Sequence, residues 1–298
     1  MADHESESKE FLEQPPKISE LRRIARVMFN RPVVIAGFVV LVITVLCAIL
    51  APIIAPYDPN KTDIMNMLAP PSAEHWLGTD EVGRDLLSRL IYGSQISLLV
   101  GVVAVSIAGI FGMGLGLLAG YFEGWVNNVI MRGIDTLLSF PPLILMLAIA
   151  SILGSGVINV LIALGIGMLP TYARLMAAQV TTLRESDYIL AEHSLGAGNG
   201  RIMLRHLLPN AFPPLLVLIT VNLGTAIMME ASLSFLGVGI IPPTPTWGAM
   251  VSSGQRFLLD NPLMSFLPGA AILLVVLAFN MVGDGLRDAL DPKLRGTL

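Results

Sequence analysis

Residues 33–55 read VVIAGFVVLVITVLCAILAPIIA, an apolar run without a single charged side chain. A helix needs about 20 apolar residues to cross the hydrocarbon core of a bilayer, where backbone polar groups find no other partners. The run is also longer than the roughly 7 to 15 apolar residues of a cleaved signal peptide, and it begins well inside the chain. The sequence therefore predicts a transmembrane helix that remains in the mature protein.

Five further runs have the same character, at residues 96–119, 130–153, 157–173, 211–235 and 263–282. Among them only Arg132, Asp135 and Glu230 are charged. Pro141 and Pro142 fall inside the third of the six runs and are expected to kink it. The pattern predicts an all-α polytopic membrane protein with six transmembrane helices.

The composition of the whole chain supports this fold class. Of 298 residues, 54% are hydrophobic and 13% are charged, about half the charged share of a soluble domain. A formal net charge of −4 provides no basic surface for nucleic acid. Cys47 is the only cysteine, which excludes an internal disulfide and a cysteine-built metal site. These figures argue against a soluble enzyme, a disordered chain and a nucleic-acid binder.

The distribution of basic residues predicts the orientation. If the N-terminus is cytoplasmic, 14 of the 18 Lys and Arg residues lie on that side, and only Lys61, Arg84, Arg89 and Arg256 lie outside. An excess of basic residues marks the cytoplasmic side. Six spans then place both termini in the cytoplasm.

The N-terminal residues read differently from the spans. Residues 1–16 are acidic and end in two prolines, which predicts a disordered tail. Residues 17–30 place apolar side chains on one stripe with arginines at its edges. This pattern fits a helix lying in the inner membrane interface, or equally a solvated lead-in to the first span.

Residues 74–93, EHWLGTDEVGRDLLSRLIYG, form part of the first predicted external loop. Asp80, Arg84 and Asp85 are candidates for a gate or a metal site, but we favour local salt bridges and caps at the start of the second span. In the last external region, Glu230 and Trp247 are further candidates. Glu230 either braces that loop by hydrogen bonds or faces a pore.

Within the spans, Arg132 and Asp135 are three residues apart on a helix, which predicts a structural ion pair. A proton-relay carboxylate is the alternative for Asp135. Gly112, Gly116 and Gly120 have the spacing that lets helix backbones approach closely. No GKS or GKT motif of a phosphate-binding loop occurs in the chain.

The segment from residue 186, SDYILAEHSLGAGNGRIMLRHLLPN, lies between the fourth and fifth spans. Ser186 is expected to cap a short helix that reaches Leu195. Its apolar residues Ile189, Leu190 and Leu195 would be exposed, and an exposed apolar helix end beside glycines favours a docking surface. The alternative is that this helix packs on the inner ends of the spans.

Five stretches carry a family resemblance: LGTDEVGRDLLSRLIYG, MRGIDTLLSFPP, SLGAGNGRIMLRHLLPN, EASLSFLGVGIIPPTPTWGAM and FNMVGDGLRDALDP. In this order they resemble the dipeptide, oligopeptide and nickel permeases of ABC importers, and more narrowly the C-type permease subunit. The resemblance covers nearly all of the chain beyond its first 20 residues. It implies the type I (MetI-like) importer permease fold and a location in the plasma membrane of a bacterium or archaeon.

The resemblance also implies a division of the chain. Residues 1–31 would be a cytoplasmic tail with the interfacial helix, and residues 32–92 the first transmembrane helix with its external loop. Residues 93–288 would form the type 1 transmembrane domain with five transmembrane helices, and residues 289–298 a cytoplasmic tail. The implied partners are a second permease subunit, two cytoplasmic ATPase subunits that bind ATP and Mg²⁺, and an external solute-binding protein. The chain itself would be non-catalytic and bind no cofactor or metal.

In this family a cytoplasmic loop with a Glu-Ala-Ala pattern seats in the ATPase. The three pattern positions fall here on Leu190, Ala191 and Glu192, so the family glutamate is absent and Glu192 is a candidate to replace its charge. The family glycine falls on Gly196. The residues that the resemblance assigns to this loop are Ser186, Asp187, Tyr188, Leu190, Ala191, Glu192, Leu195, Gly196, Arg201, Leu208 and Pro209.

The resemblance implies peptide import by alternating access, driven through residues 186–209. A nickel or metal-chelate importer is the alternative within the family. The 15 methionines and four histidines could suggest metal transport, but methionine is a common apolar filler and the histidines lie in separate segments, so we favour peptides. An ion-coupled secondary transporter would need internal repeats and carboxylates near the midplane. The carboxylates here lie near span ends, which argues against that class.

Overall fold

The computed structural model describes residues 27–290, and every regular element within them is helical. The helices of eight residues or more are α1 (Pro32–Ile54), α2 (Leu86–Tyr121), α3 (Trp125–Leu138), α4 (Pro142–Leu153), α5 (Val157–Arg184), α6 (Asp187–Ser194), α7 (Leu208–Phe235), α8 (Trp247–Gly254) and α9 (Leu263–Leu290). The predicted disordered tail lies outside the described residues. So do all but the last turn of the predicted interfacial helix and nearly all of the C-terminal tail.

Five helical stretches are long and apolar enough to cross a membrane: α1, α2, α5, α9, and α7 together with the turns before it. The third predicted run, which we expected to be one kinked span, is divided into α3 and α4 at an angle of 90°. Two successive prolines explain the break, because neither Pro141 nor Pro142 has a backbone N–H to continue the helix. The location of the break was predicted, but its angle is far larger than that of a kink.

Several helices extend beyond the apolar runs that predicted them. α2 has 36 residues and starts at Leu86, where the Asp85 side chain accepts a hydrogen bond from the Ser88 N–H at 2.8 Å. α5 continues to Arg184 and α9 to Leu290. Hydropathy marks only the part of a helix that contacts lipid or the apolar core, so caps and breakers fix the ends.

Three glycines of α2 lie against α5. A Cβ atom placed on Gly112, Gly116 or Gly120 would lie 2.6, 2.3 or 2.7 Å from a backbone oxygen of α5. These distances are shorter than any normal contact, so only glycine permits this approach. The prediction from the glycine spacing is confirmed. The main apolar core lies between α2, α5 and α7.

α1 and α9 pack against each other through glycines on both helices. A Cβ on Gly37 would lie 2.9 Å from the Met281 Cβ, and one on Gly285 would lie 2.7 Å from Val34. Arg31, just before α1, forms an ion pair with Asp288 near the end of α9 at 2.5 Å. The start of the first span is therefore fixed to the end of the last.

Candidate functional site

Residues 186–209, which we call the α6 segment, begin at the end of α5. Ser186 occupies the N-cap position of α6, but its hydroxyl donates to the Leu183 carbonyl and makes no cap hydrogen bond. The predicted side-chain cap is therefore wrong. The carboxylate of Asp187 lies in the first turn, where negative charge is favourable at a helix N-terminus.

The two sides of α6 differ in polarity and burial. Ile189 is fully buried in the main apolar core, so the expectation that it is exposed was wrong. Glu192 lies on the same inward side, with its Oε1 3.5 Å from the His206 Nε2. Tyr188, Leu190 and Leu195, which do not face the core, are 41%, 54% and 84% exposed. The short helix thus packs on the bundle and also presents an apolar surface.

The end of α6 is formed by glycine. Gly196 has φ +80°, a conformation that favours glycine, and its N–H donates to the His193 carbonyl. After it, one helical turn at Asn199–Arg201 and a π-helical stretch at Ile202–Leu207 lead without interruption into α7. Leu208 and Pro209 are the first residues of α7, at the point where the π-helical stretch becomes α-helical. Ala191 and Arg201 are exposed.

Tyr121, the last residue of α2, contacts the α6 segment at two points. Its hydroxyl donates to the Asn199 Oδ1 at 2.9 Å, and its ring stacks on His193 with 6.3 Å between centroids. Its carbonyl accepts from the Arg184 Nη1 at 3.1 Å, and Arg184 also pairs with Glu123. None of these residues was predicted from the sequence to be part of the site. The only signal was an aromatic residue at the end of an apolar run.

The opposite end of α2 lies in a group of ion pairs that we call the loop cluster: Asp80, Glu81, Arg84, Asp85 and Arg89. Asp80 Oδ2 accepts from the Arg84 Nε at 2.6 Å and lies 3.4 Å from the Arg89 Nε. Asp85 caps α2 and contacts the His75 Nδ1 at 2.9 Å. The structure thus brings Asp80, Arg84 and Asp85 together in local salt bridges and a cap, the arrangement that we favoured. Arg89, which was not singled out, donates to the Pro59 carbonyl at 2.9 Å.

Glu230 lies near the end of α7 and has no exposed surface. Its Oε1 accepts hydrogen bonds from the hydroxyls of Ser234 at 2.8 Å and Thr246 at 3.2 Å. Thr246 caps α8 by accepting from the Ala249 N–H. Of the two alternatives for Glu230, the contacts favour bracing of the last loop. Trp247, the next residue, donates through Nε1 to the Leu90 carbonyl of α2 at 3.0 Å.

The predicted ion pair between Arg132 and Asp135 is not formed among the described residues. Asp135 pairs instead with Arg174 of α5. An arginine that precedes an aspartate on one helix is the less favourable order for such a pair, and Arg174 reaches the carboxylate from the neighbouring helix. Both partners are more than half exposed, so the pair contributes little to stability.

Within the described residues, no group of three or more His, Cys, Asp or Glu side chains is arranged to hold a metal ion. The candidate site is the α6 segment together with its attachments to α2, α5 and α7, because this segment combines exposed apolar side chains with defined contacts to the long helices.

Comparisons with known proteins agree with this architecture. Residues 112–296 match the family described as "Binding-protein-dependent transport system inner membrane component", and residues 19–71 match "N-terminal TM domain of oligopeptide transport permease C". A solved structure of the MetNI methionine ABC transporter in inward-facing conformations matches 69% of this chain and 98% of its own, with a TM-score of 0.54 and 18% identity. That likeness supports the type I permease fold.

Curated relatives extend over almost the whole chain. The dipeptide transport system permease protein DppC of Alkalihalophilus pseudofirmus is 43% identical over 95% of this chain and 93% of its own. The probable D,D-dipeptide transport system permease protein DdpC of Escherichia coli K12 is 44% identical over 89% of each chain. The glutathione transport system permease protein GsiD of Shigella sonnei is 48% identical over 88% of this chain and 86% of its own. The chain therefore belongs to the family of binding-protein-dependent transport system inner membrane components, multi-pass permease subunits of ABC importers.

Proposed function

We propose that this chain is the permease subunit of an ATP-driven importer of dipeptides and short oligopeptides. It forms the translocation path with a second, related permease subunit. The three relatives described above are named for dipeptides, D,D-dipeptides and glutathione, all of them short peptides. Their similarity over most of the chain supports this substrate class over nickel or a metal chelate.

In this proposal the energy comes from other subunits. Two cytoplasmic ATPase subunits bind ATP and Mg²⁺, and an external solute-binding protein delivers the peptide. Both termini of the permease are cytoplasmic, residues 93–288 form its transport domain, and the chain has no catalytic role. The lack of a P-loop motif in the sequence supports this division of labour.

The observation that carries the proposal is the outward surface of α6. Ile189 fixes the helix to the apolar core, while Tyr188, Leu190 and Leu195 are exposed apolar side chains on the rest of its surface, with Tyr188 and Leu195 on one flank and Leu190 on the other. We propose that the ATPase binds this surface. Glu192 is only a quarter exposed and lies near His206, which supports an apolar contact at Leu190 rather than a replacement of the family glutamate by Glu192.

Alternating access follows from this attachment. ATP binding closes the two ATPase subunits on each other, and α6 moves with the subunit that holds it. The spans then change from open toward the cytoplasm to open toward the loaded binding protein. ATP hydrolysis reverses the movement.

A charge at Leu195 tests the attachment. We expect Leu195→Asp to reduce recovery of the ATPase subunits with the purified permease at least tenfold and to abolish peptide uptake into proteoliposomes. Desolvating a carboxylate in place of a leucine costs more than the roughly 1.5 to 3 kcal/mol that burial of the leucine contributes. Leu259→Asp is the matched control, because Leu259 is fully exposed in the loop before α9.

The control should retain the ATPase subunits. Normal ATPase recovery and peptide uptake in Leu195→Asp would show that α6 is not the attachment. The substrate class is tested separately by calorimetry of the cognate binding protein with a panel of short peptides and with nickel chelates. If the binding protein binds nickel chelates and no peptide, the proposed substrate class is wrong.

A further inference from the structure

α2 connects the two regions of the molecule that the transport cycle has to coordinate. Its 36 residues span about 54 Å at 1.5 Å per residue. One end, at Tyr121, touches the α6 segment, and the other end begins in the loop cluster. In its last third, next to Tyr121, Gly112, Gly116 and Gly120 hold it in backbone contact with α5.

The end near α6 is attached by groups with defined geometry. Tyr121 is 7% exposed, and its hydroxyl donates to Asn199 beyond the glycine that ends α6. Its ring stacks on His193, within α6 itself. One side chain therefore contacts the segment on both sides of Gly196, although α2 and this segment are far apart in the sequence.

Gly196 and Gly198 lie between His193 and Asn199, the two residues of the α6 segment that Tyr121 contacts. Gly196 has a positive φ, and a Cβ placed on Gly196 or Gly198 would meet nothing within 4 Å. Ala197 between them packs on the main apolar core, but the two glycines have no side chains that could transmit a displacement of α6 toward Asn199. Tyr121 bridges the stretch with a hydrogen bond and a stacked ring.

The opposite end of α2 is attached just as specifically. The Leu90 carbonyl accepts from the Trp247 Nε1, and the Ser97 Oγ accepts from the Trp247 N–H at 3.3 Å. Arg89 donates to the carbonyls of Pro59 and Pro243 at 2.9 and 3.4 Å. A displacement of α2 therefore acts directly on the loop that contains α8.

From these contacts we infer that Tyr121 is a positioning residue that transmits movement of the α6 segment to α2, and through α2 to the loop of Trp247. This inference rests on the proposed function, in which the ATPase moves α6. It adds a non-covalent route to the two covalent ones, because α5 and α7 are joined to the segment by the chain itself.

The test uses the complete transporter in proteoliposomes and measures peptide imported per ATP hydrolysed. Tyr121→Phe removes only the hydroxyl and keeps the ring on His193, and Asn199→Ala removes the acceptor. We expect each variant to lower the ratio about fivefold, the effect of losing one ordinary hydrogen bond. The double variant should be no worse than either single one, because all three lack the same bond.

Tyr92→Phe is the matched control. It removes a hydroxyl from the same helix, and that hydroxyl makes no hydrogen bond within the described residues. The ratio is normalised to ATP hydrolysed, so a smaller amount of folded protein does not change it. All of these variants should retain the ATPase subunits, whereas Leu195→Asp should lose them.

An unchanged ratio in Tyr121→Phe overturns the inference, and so does a double variant in which the two losses multiply. Either result leaves the proposed function intact if Leu195→Asp still loses the ATPase subunits. If Leu195→Asp retains them, the proposed function itself fails.

Discussion

Replacing Gly116 by alanine should separate α2 from α5. A Cβ at this position would lie 2.3 Å from the Ala173 carbonyl oxygen, about 1 Å closer than the 3.3 Å at which carbon and oxygen normally touch. The neighbouring atom belongs to a helix backbone and has no side-chain torsion by which to move away. The two helices must therefore move apart at their closest contact.

The size of the effect follows from two opposing terms. Overpacking a well-packed interface costs about 1 to 3 kcal/mol, while alanine favours the helix over glycine by about 1 kcal/mol. Gly114→Ala is the matched control, because a Cβ on Gly114 of the same helix meets nothing within 4 Å. Gly114→Ala should gain the higher helix propensity of alanine without the steric cost. Gly116→Ala should therefore be less stable than Gly114→Ala by about 1 to 3 kcal/mol.

The assay is unfolding of the purified permease in mixed detergent micelles, followed by far-ultraviolet circular dichroism. The quantity compared is the difference in unfolding free energy between the two alanine variants, which removes errors common to both. Equal stability of the two variants would contradict the packing argument, because it would mean that the backbones of α2 and α5 are not in contact at Gly116.

Three further predictions concern side chains that the structure places in contacts. Thr246→Val should lower the unfolding free energy by about 1 to 3 kcal/mol, because it removes both the cap of α8 and a donor to a buried carboxylate. Thr246→Ser keeps the hydroxyl and should be nearly neutral in the same unfolding assay. Arg89→Met should lower the unfolding free energy by about 2 to 4 kcal/mol, because the buried Pro59 carbonyl and the buried Asp80 carboxylate each lose a partner. A loss below about 0.5 kcal/mol would contradict a stabilising role of Arg89. Arg174→Gln should change stability by less than about 1 kcal/mol, and a double-mutant cycle should detect coupling of Asp135 to Arg174 but not to Arg132.

Most of the fold follows from hydropathy and small residues. The apolar runs located every long helix, because the bilayer imposes one length and one polarity on a span. The glycine spacing in α2 predicted its contact with α5, and the two prolines located the break between α3 and α4. What hydropathy did not predict is the extent of α2, α5 and α9 beyond the membrane, where caps set the ends.

Contacts across the fold were less predictable. The burial of Ile189 and the pairing of Asp135 with Arg174 depend on which helix lies alongside, and no local spacing contains that information. For the same reason the sequence did not indicate that Tyr121 meets Asn199. In contrast, Asp80, Arg84 and Asp85 lie within one short stretch, so their pairing could be inferred from the sequence.

The contact between Arg31 and Asp288 has a consequence for the number of membrane crossings. Because it joins the start of α1 to the end of α9, the described chain enters and leaves the bilayer on the same side. Such a chain crosses an even number of times. The five long helical stretches are candidates for one crossing each, so an even number requires α3 and α4 together to supply the sixth.

Neither half can cross alone, since 14 and 12 residues correspond to about 21 and 18 Å of helix, against about 30 Å of hydrocarbon. The break at residues 139–141 therefore lies at membrane depth. Its unpaired carbonyls have to be met by neighbouring protein or by water rather than by lipid.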